Sequence, residues 1–211
     1  AGKPFRLALW QEIIVRLLVG WIAPIEVTDE QTGKPISAQV RVFRRLMLWV
    51  PRKNGKSEFL AALALLFFVV DGVIGGQGFV FARDENQAKI AFNKMKAMIT
   101  YSPALGETQL YKKSFYLPKI RSVFELLSGK PEGKHGRSPT VIVGDEMHEW
   151  ETADLATFLR QGTGTRLEPI ELYASTAGLK SNKTGYGLWE ESRSILEGRI
   201  DKPSTLVVIF A

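Results

Sequence analysis

The tripeptide Gly55-Lys56-Ser57 carries the residue types that a protein uses to hold a triphosphate and its metal ion. A lysine ammonium can neutralise the β- and γ-phosphates, a serine hydroxyl can ligate Mg²⁺, and a glycine lets the backbone pass close to the phosphates. The tripeptide ends a polar loop whose other residues are Pro51, Arg52, Lys53 and Asn54. A surface turn with a solvated lysine has the same composition, so the flanking elements must decide between the two interpretations.

The segments on either side of the loop favour phosphate binding. The apolar run Leu46–Val50 precedes the loop, and the apolar run Phe59–Val70, rich in helix formers, follows it. A strand, a loop and a helix in this order are typical of a phosphate-binding loop, in which the helix N-terminus adds partial positive charge. Val50 stands where the usual pattern has its first glycine, so the match to that pattern is imperfect.

A pair of adjacent carboxylates provides the second candidate site. Asp145 and Glu146 follow the apolar run Val141–Gly144, which is typical of a central parallel strand. Ligands of open α/β sheets bind at the carboxyl ends of such strands. We expect Asp145 to hold Mg²⁺ through water, and Glu146 to orient or deprotonate the attacking water. By itself the pair is better explained as an exposed strand end. Its position downstream of Lys56, in the same α/β pattern, reverses that preference and favours nucleotide hydrolysis.

Two further polar pairs have weaker signals. Ser175 and Thr176 follow the strand-like run Ile170–Ala174, where their hydroxyls could sense a γ-phosphate or simply cap a turn. Gln11 follows Trp10 in an amphipathic segment, where its amide could read the edge of an adenine base or lie at the surface.

Two arginines could meet the charge that develops on a transferred phosphoryl group. Arg52 lies in the phosphate loop and could act within its own chain, whereas Arg137 could act on a neighbouring subunit. Arg137 belongs to a basic segment, Ser128–Pro139, that suits phosphate or nucleic acid but is also typical of a solvated loop. Contact with DNA or solvent is the alternative for both arginines.

Alternating strand and helix patterns predict an α/β fold with a mostly parallel central sheet and helices on both faces. The predicted strands are Gln39–Phe43, Leu46–Val50, Gly78–Ala82, Phe115–Leu117, Val123–Leu127, Thr140–Gly144, Ile170–Ala174 and Thr205–Phe210. The predicted helices are Phe5–Ile22, Phe59–Val70, about Asp84–Thr100, Thr152–Gln161 and one within Gly185–Gly198. We expect Asp84 to be an N-cap with Gln87 at the capping-box position, and Thr152 to be the N-cap of the helix that it begins. Turn residues between Ile25 and Ala38 predict a loop or a hairpin tip.

Composition narrows the class of protein. The 211 residues are enough for one large domain, and the absence of cysteine excludes disulfides and thiolate metal sites. The longest apolar run is too short to span a membrane, and the first residues do not read as a secretory signal. A net charge of +6 suits a polyanionic partner, although a solvated basic surface has the same charge.

These motifs, in this order, resemble the ATPase domain of the large terminase subunit, the genome-packaging motor of tailed double-stranded DNA phages. The resemblance rests on five segments: Trp10-Gln11, Pro51–Ser57, Ala82–Ala88, Val141–Glu146 and Ala174–Gly178. Replacement of the first loop glycine, here by Val50, is typical of that family. The resemblance implies a P-loop NTPase of the strand-catalytic-glutamate type, with ATP and Mg²⁺ as cofactors.

The resemblance also implies a role for each candidate residue. The nucleotide-binding set would be Gln11, Arg52, Lys53, Asn54, Gly55, Lys56 and Ser57. Ser57 and Asp145 would hold the metal, and Glu146 would act on the water with assistance from Lys56 and either Arg52 or Arg137. Ser175 and Thr176 would couple hydrolysis to DNA movement.

The family also suggests partners and a setting. They are double-stranded DNA, the portal protein, the small terminase subunit and further copies in a ring, commonly a pentamer, on the procapsid in the host cytoplasm. We expect residues 1–211 to form the motor domain alone, without the family's C-terminal nuclease domain. The alternatives are a helicase or other nucleic-acid-dependent P-loop ATPase, and a nucleotide-dependent binding module without turnover.

Overall fold

The structure, a computed structural model, describes residues 5–29, 32–127, 136–178 and 180–210. Its strands are β1 (Ile22–Thr28), β2 (Pro35–Arg41), β3 (Arg45–Trp49), β4 (Gln77–Phe81), β5 (Gln109–Leu110), β6 (Ser114–Leu117), β7 (Ser122–Leu126), β8 (Pro139–Asp145), β9 (Ile170–Ser175) and β10 (Thr205–Ile209). Its helices are α1 (Leu9–Gly20), α2 (Lys56–Val70), α3 (Glu85–Tyr101), α4 (Asp154–Gln161) and α5 (Lys183–Leu196). No helix in these ranges combines the length and the apolar character that crossing a bilayer requires.

Eight of the described strands form one sheet in the order β10-β3-β9-β8-β4-β7-β6-β5. The strands from β10 to β7 are parallel, and β6 and β5 add an antiparallel edge. Every residue of β8 and β9 is buried, as expected for central strands covered on both faces. The predicted α/β fold class with a mostly parallel sheet is confirmed.

Alternate side chains of the strands feed two apolar cores. Leu46 and Leu48 of β3 face the core that is covered by α1, α2 and α3. Met47 and Trp49 of the same strand face the other core, which is covered by α4 and α5. This period of two follows from the pleat of a strand, and it explains why the central strands read as unbroken apolar runs.

The strand order determines which loops can meet. Since β9 lies between β3 and β8, the carboxyl end of β9 is flanked by the phosphate loop on one side and by the carboxylate pair on the other. The register pairs Trp49 with Ser175, and Ala174 with Asp145. The three candidate motifs therefore share one edge of the sheet.

Several predicted boundaries are shifted. The first helix begins at Leu9 and ends at Gly20, because Ile22 already pairs with Arg41 in a two-stranded antiparallel sheet formed by β1 and β2. The segment expected to be a loop or hairpin tip is therefore mostly strand, with its turn near Gly33. Likewise, the predicted edge strand from Gln39 belongs to β2 in this separate sheet.

One of the predicted helix caps is confirmed, and two other cap predictions are wrong. Asp84 is confirmed as the N-cap of α3, where its carboxylate accepts hydrogen bonds from the backbone N–H groups of Asn86 and Gln87. The Gln87 side chain, expected to complete a capping box, instead donates to Glu149. Thr152 is not the N-cap of α4, because the residue immediately before that helix is Ala153.

A buried ionic cluster fixes β9 to its surroundings. The carboxylate of Glu171 accepts hydrogen bonds from Arg45 (2.8 Å), Arg160 (2.9 Å) and the Tyr173 hydroxyl (2.6 Å). Burial raises the pKa of Tyr173 well above its ordinary value, and the negative charge of Glu171 adds to this effect. Tyr173 consequently stays neutral in the folded protein at pH values where an exposed tyrosine ionises.

Stability should therefore fall at high pH through Tyr173. A folded-state pKa above the unfolded value of about 10 means that the unfolded chain loses this proton first, so the free energy of unfolding falls as pH rises above about 10. We expect a shallower fall in Tyr173→Phe, measured by urea denaturation between about pH 8 and pH 11. Tyr101→Phe, the same change at a 70% exposed position, is the control. Equal slopes for wild type and Tyr173→Phe would contradict the expectation.

Candidate nucleotide-binding site

The polar loop between β3 and α2 has a backbone shaped for close approach by a ligand. Gly55 is the N-cap of α2 and has a left-handed conformation with φ 71°, and Lys53 is also left-handed with φ 66°. The Asn54 amide donates hydrogen bonds to the carbonyl oxygens of Pro51 and Arg52 and so closes the loop on itself. The positive end of the 15-residue helix α2 therefore faces the site.

Lys56 lies between the two carboxylates that end β8. Its Nζ is 3.1 Å from Asp145 Oδ1 and 2.8 Å from Glu146 Oε2, and its side chain is only 7% exposed. The Ser57 hydroxyl donates a 2.9 Å hydrogen bond to Asp145 Oδ2. The structure thus brings together the four residues on which the interpretation of the sequence depends.

The end of β8 is held rigidly. Glu146 has a left-handed backbone, φ 53° and ψ 49°, and its N–H donates to Asp145 Oδ1. Trp150 donates from its indole nitrogen to the carbonyl oxygen of Asp145 and packs against Gly144, where a Cβ would lie 2.6 Å from the Trp150 ring. Asp145 also accepts the Ser57 hydroxyl, whereas Glu146 lies beside His148, so the two carboxylates have different neighbours and can take different roles.

A cavity of about 240 Å³ adjoins these groups. It is lined by Pro51, Arg52, Lys53, Gly55, Lys56, Ser57, Glu58, Glu146, His148, Glu149 and Thr176. The Thr176 hydroxyl is buried and has no hydrogen-bond partner among the described residues. Thr176 therefore offers an unused donor and acceptor at the wall of this cavity, whereas Ser175 is fully buried behind it.

Gln11 reaches the same region from α1. Its side chain is 7% exposed, and a Cβ placed on Gly55 would lie 4.0 Å from the Gln11 amide nitrogen. The Gln11 amide oxygen accepts a hydrogen bond from the backbone N–H of Ala8. Trp10 packs edge-on against Phe59, which anchors α1 beside α2. Gln11 is thus buried beside the phosphate loop, and its role toward adenine stays a prediction.

The two candidate arginines lie at opposite ends of the sheet. Arg52 lines the cavity and makes no ion pair with any residue that the structure describes. Arg137 precedes β8, where its guanidinium donates a 2.5 Å hydrogen bond to Glu125 and stacks 4.7 Å from the centre of the Phe79 ring. A strand rises about 3.3 Å per residue, which places Arg137 roughly 25 Å from the carboxylate pair of its own chain.

If Arg137 contacts a phosphoryl group, that group must therefore belong to a neighbouring subunit; this role and the alternative, contact with DNA or solvent, both stay predictions. The other basic residues of its segment lie outside the described residues; they are Lys130, Lys134 and His135.

His148 belongs to the site although the sequence did not single it out. Its Nδ1 is 3.1 Å from Glu146 Oε2 and 3.0 Å from Ser175 Oγ. Its position in a short turn after a central strand, two residues beyond Glu146, is the signal that could have identified it.

A lysine between two strand-end carboxylates, a left-handed glycine at a helix N-terminus and a serine on one of the carboxylates define a P-loop nucleotide-binding fold. Serine hydroxyl and carboxylate oxygens are also the few protein ligands that nucleotide-bound Mg²⁺ requires.

Residues 33–194 match the family described as "Terminase large subunit, ATPase domain". Because that match takes in more than half of the chain, the chain belongs to this family, as its motifs indicated.

Comparisons with individual proteins agree with this assignment. The terminase large subunit of Lactococcus phage p2 is 22% identical over 149 residues, 67% of the chain and 27% of that protein. The crystal structure of the HK97 bacteriophage large terminase has a TM-score of 0.73 at 19% identity, over 99% of the chain and 40% of that protein.

The large terminase of a thermophilic bacteriophage, in complex with ADP, has a TM-score of 0.63 at 8% identity, over 93% of the chain and 44% of that protein. At these identities the two structures show a shared fold. The chain spans about a quarter of the length of the curated relative.

The glycine at the start of α2 allows a test of the loop geometry. Alanine at position 55 meets no close atom, so Gly55→Ala isolates the cost of a left-handed backbone, about 1 kcal/mol. We expect lower thermal stability and weaker binding of a fluorescent ATP analogue. Gly187→Ala, within α5 and also in open space, should be neutral or stabilising by up to about 1 kcal/mol. Equal effects of the two substitutions would show that the loop does not require its glycine.

Proposed function

We propose that the chain binds ATP with Mg²⁺ and hydrolyses it, and that this hydrolysis drives double-stranded DNA into a viral procapsid. The observation that carries the proposal is the placement of Lys56 within 3.1 Å of both Asp145 and Glu146 at the carboxyl edge of the sheet. Membership of the family, and the ADP complex of the thermophilic phage terminase that shares the fold, support the nucleotide as the ligand.

Lys56 supplies the charge that recruits the triphosphate. Without nucleotide it is the counter-ion of one buried and one partly buried carboxylate, which would otherwise repel each other and the phosphates. The β- and γ-phosphates compete for the same ammonium, so Lys56 turns from the carboxylates toward them. Ser57 and Asp145 would hold Mg²⁺, which would supply positive charge to the phosphates and to the transition state.

Once Lys56 turns away, Glu146 is free to act on water. Its carboxylate, at the end of β8, accepts a hydrogen bond from the attacking water and takes up its proton as the water oxygen bonds to the γ-phosphorus. The bond from that phosphorus to the β,γ-bridging oxygen breaks in the same step, so that ADP leaves and inorganic phosphate is formed. Arg52, which lines the cavity and has no competing carboxylate within the described residues, stabilises the charge on the γ-phosphoryl group. Lys53, Asn54 and Gly55 contribute backbone N–H groups.

Thr176 and Ser175 connect this chemistry to the rest of the fold. The Thr176 hydroxyl at the cavity wall has no hydrogen-bond partner among the described residues and is available to the γ-phosphate. When hydrolysis removes the γ-phosphate, the environment of the end of β9 changes. Because β9 pairs with both β3 and β8, a shift of its end moves the two halves of the site relative to each other.

The motor would act as part of a larger assembly. We propose a ring of copies, commonly five in the family, on the portal protein of a procapsid in the host cytoplasm, with a small terminase subunit that helps to select DNA. The net charge of +6 suits the DNA partner. A nuclease activity is proposed for a further domain and not for residues 1–211.

Removal of the acid at position 146 tests the hydrolysis step. We expect Glu146→Gln to lower Mg²⁺-dependent phosphate release by about 100-fold or more and to keep ATP affinity within about threefold, because only the transition state needs the base. Glu151→Gln removes an 81% exposed carboxylate nearby and should leave turnover unchanged. If the wild-type protein binds ATP tightly but releases no phosphate at any protein concentration, it is a binding module instead. If it unwinds nucleic acid but does not package DNA into procapsids, it is a helicase.

A second comparison tests the arginine. We expect Arg52→Ala to lower turnover about 10- to 100-fold at every protein concentration, and Arg137→Ala to leave it near the wild-type value. The physical reason is that Arg52 lies at the cavity, whereas Arg137 is paired with Glu125 at the far end of the sheet. Turnover that rises faster than linearly with protein concentration and is lost only in Arg137→Ala would assign the role to a neighbouring subunit's arginine.

A further inference from the structure

His148 is a nearly buried residue of the site that the proposed hydrolysis mechanism does not use. Its ring nitrogen Nδ1 lies 3.1 Å from Glu146 Oε2 and 3.0 Å from Ser175 Oγ, and its side chain is 11% exposed. Its backbone N–H donates a further 3.0 Å hydrogen bond to the same serine oxygen. One imidazole thus bridges the acid that ends β8 and the hydroxyl that ends β9.

The partners of Nδ1 determine where the ring hydrogen lies. The Ser175 hydroxyl hydrogen is donated to the carbonyl oxygen of Thr176, and the serine oxygen accepts from the His148 backbone. The ionised carboxylate of Glu146 can only accept. Since both neighbours of Nδ1 are acceptors, Nδ1 carries a hydrogen, which forms the 3.0 Å hydrogen bond to Ser175 Oγ. Glu146 Oε2 lies 3.1 Å from the same nitrogen and has no hydrogen-bond partner among the described residues.

The other ring nitrogen points along a different path. His148 Nε2 is 3.6 Å from Glu149 Oε1, and the second oxygen of Glu149 accepts a 2.6 Å hydrogen bond from Gln87 in the first turn of α3. The two nitrogens therefore have different neighbours: Nδ1 lies beside Glu146 and Ser175, and Nε2 lies on the side of Glu149 and α3. Substitutions that keep a donor at only one of these positions can distinguish their roles.

The backbone of His148 has no room to shift. The Asn182 amide donates to its carbonyl oxygen at 2.8 Å. A Cβ at Gly178 would lie 2.5 Å from His148 Cβ, and one at Gly185 would lie 2.6 Å from His148 Cα. Only glycines at positions 178 and 185 leave room for His148. Because the surrounding residues pack closely, we expect a displacement of Glu146 to move Ser175 as well, since His148 itself has little room to shift.

We propose that His148 is a positioning residue: its Nδ1–H, seated on Ser175 in this structure, turns to the adjacent Glu146 carboxylate when Lys56 leaves it, and so links the position of that acid to the end of β9. The inference rests on the proposed hydrolysis of ATP. In the structure Lys56 Nζ lies 2.8 Å and His148 Nδ1 lies 3.1 Å from the same oxygen, Glu146 Oε2, and neither forms a hydrogen bond with it. When Lys56 turns to the phosphates, His148 is the donor that stays, and it keeps one carboxylate oxygen fixed so that the other faces the water.

A matched pair of amides separates the two ring nitrogens. Asparagine places an amide near the position of Nδ1, and glutamine places one near the position of Nε2. We expect His148→Ala and His148→Gln to lower kcat about 10- to 100-fold, the value of one hydrogen bond to a charged group, and His148→Asn to stay within about fivefold of wild type. The KM for ATP should change less than about threefold in all three variants, since nucleotide binding does not need this contact.

The link to Ser175 is tested by a double-mutant cycle. If His148 acts through Ser175 as well as on Glu146, the combined His148→Ala and Ser175→Ala variant should be no slower than His148→Ala alone. Thermal unfolding and binding of a fluorescent ATP analogue, measured for each variant, show whether a slow variant is folded and loaded. Multiplicative losses in the double variant would remove Ser175 from the link.

A spectroscopic measurement tests the hydrogen position independently of turnover. The chain has two histidines, so long-range ¹H–¹⁵N correlation of the imidazoles assigns His148 by the signals lost in His148→Asn. A protonated Nδ1 supports the inference, and a neutral ring protonated only at Nε2 overturns it. Wild type that releases no phosphate, with no change in Glu146→Gln, would defeat the proposed function. Normal kcat in His148→Ala beside an inactive Glu146→Gln would defeat this inference alone.

Discussion

The ammonium group of Lys56 between two carboxylates is the interaction on which the rest of the site depends. Asp145 and Glu146 are adjacent in the chain, one buried and one partly buried, so without a cation within about 3 Å their mutual repulsion would open the end of β8. The same ammonium is the group that a triphosphate attracts. The carboxylates of the site are therefore neutralised by its own lysine, and under the proposed mechanism nucleotide binding would exchange one set of counter-ions for another.

The strand order of the sheet would connect that exchange of counter-ions to a movement of β9. The lysine enters at the start of α2, which follows β3, and the carboxylates end β8, with β9 between the two strands. Any change in the distance between Lys56 and Glu146 must be accommodated at the end of β9, where Ser175, Thr176 and the bridging His148 lie. The order of the strands therefore supports the proposed coupling between hydrolysis and movement.

The sequence predicted the central parts of this arrangement for a physical reason. Parallel strands present their carboxyl ends at one edge, so a loop after Val50 and an acid pair after Gly144 had to converge, and they do. The order of the strands in the sheet could not be derived from the sequence, because the central strands are similar apolar segments that could pair in several different orders. His148 was missed because a histidine shows its role only through what faces its two nitrogens. The position of Arg137 before β8, rather than after it, was sufficient to place it at the opposite edge of the sheet.

The left-handed backbone at Glu146 lowers the stability of the fold at a residue of the candidate site. A left-handed residue with a side chain is less stable than glycine in that conformation by about 1 kcal/mol. A glycine would relieve the strain but would remove the base of the proposed hydrolysis. Under that proposal the carboxylate is retained at Glu146 despite its cost in stability, and a related chain that no longer hydrolysed nucleotide would be expected to accept glycine at this position.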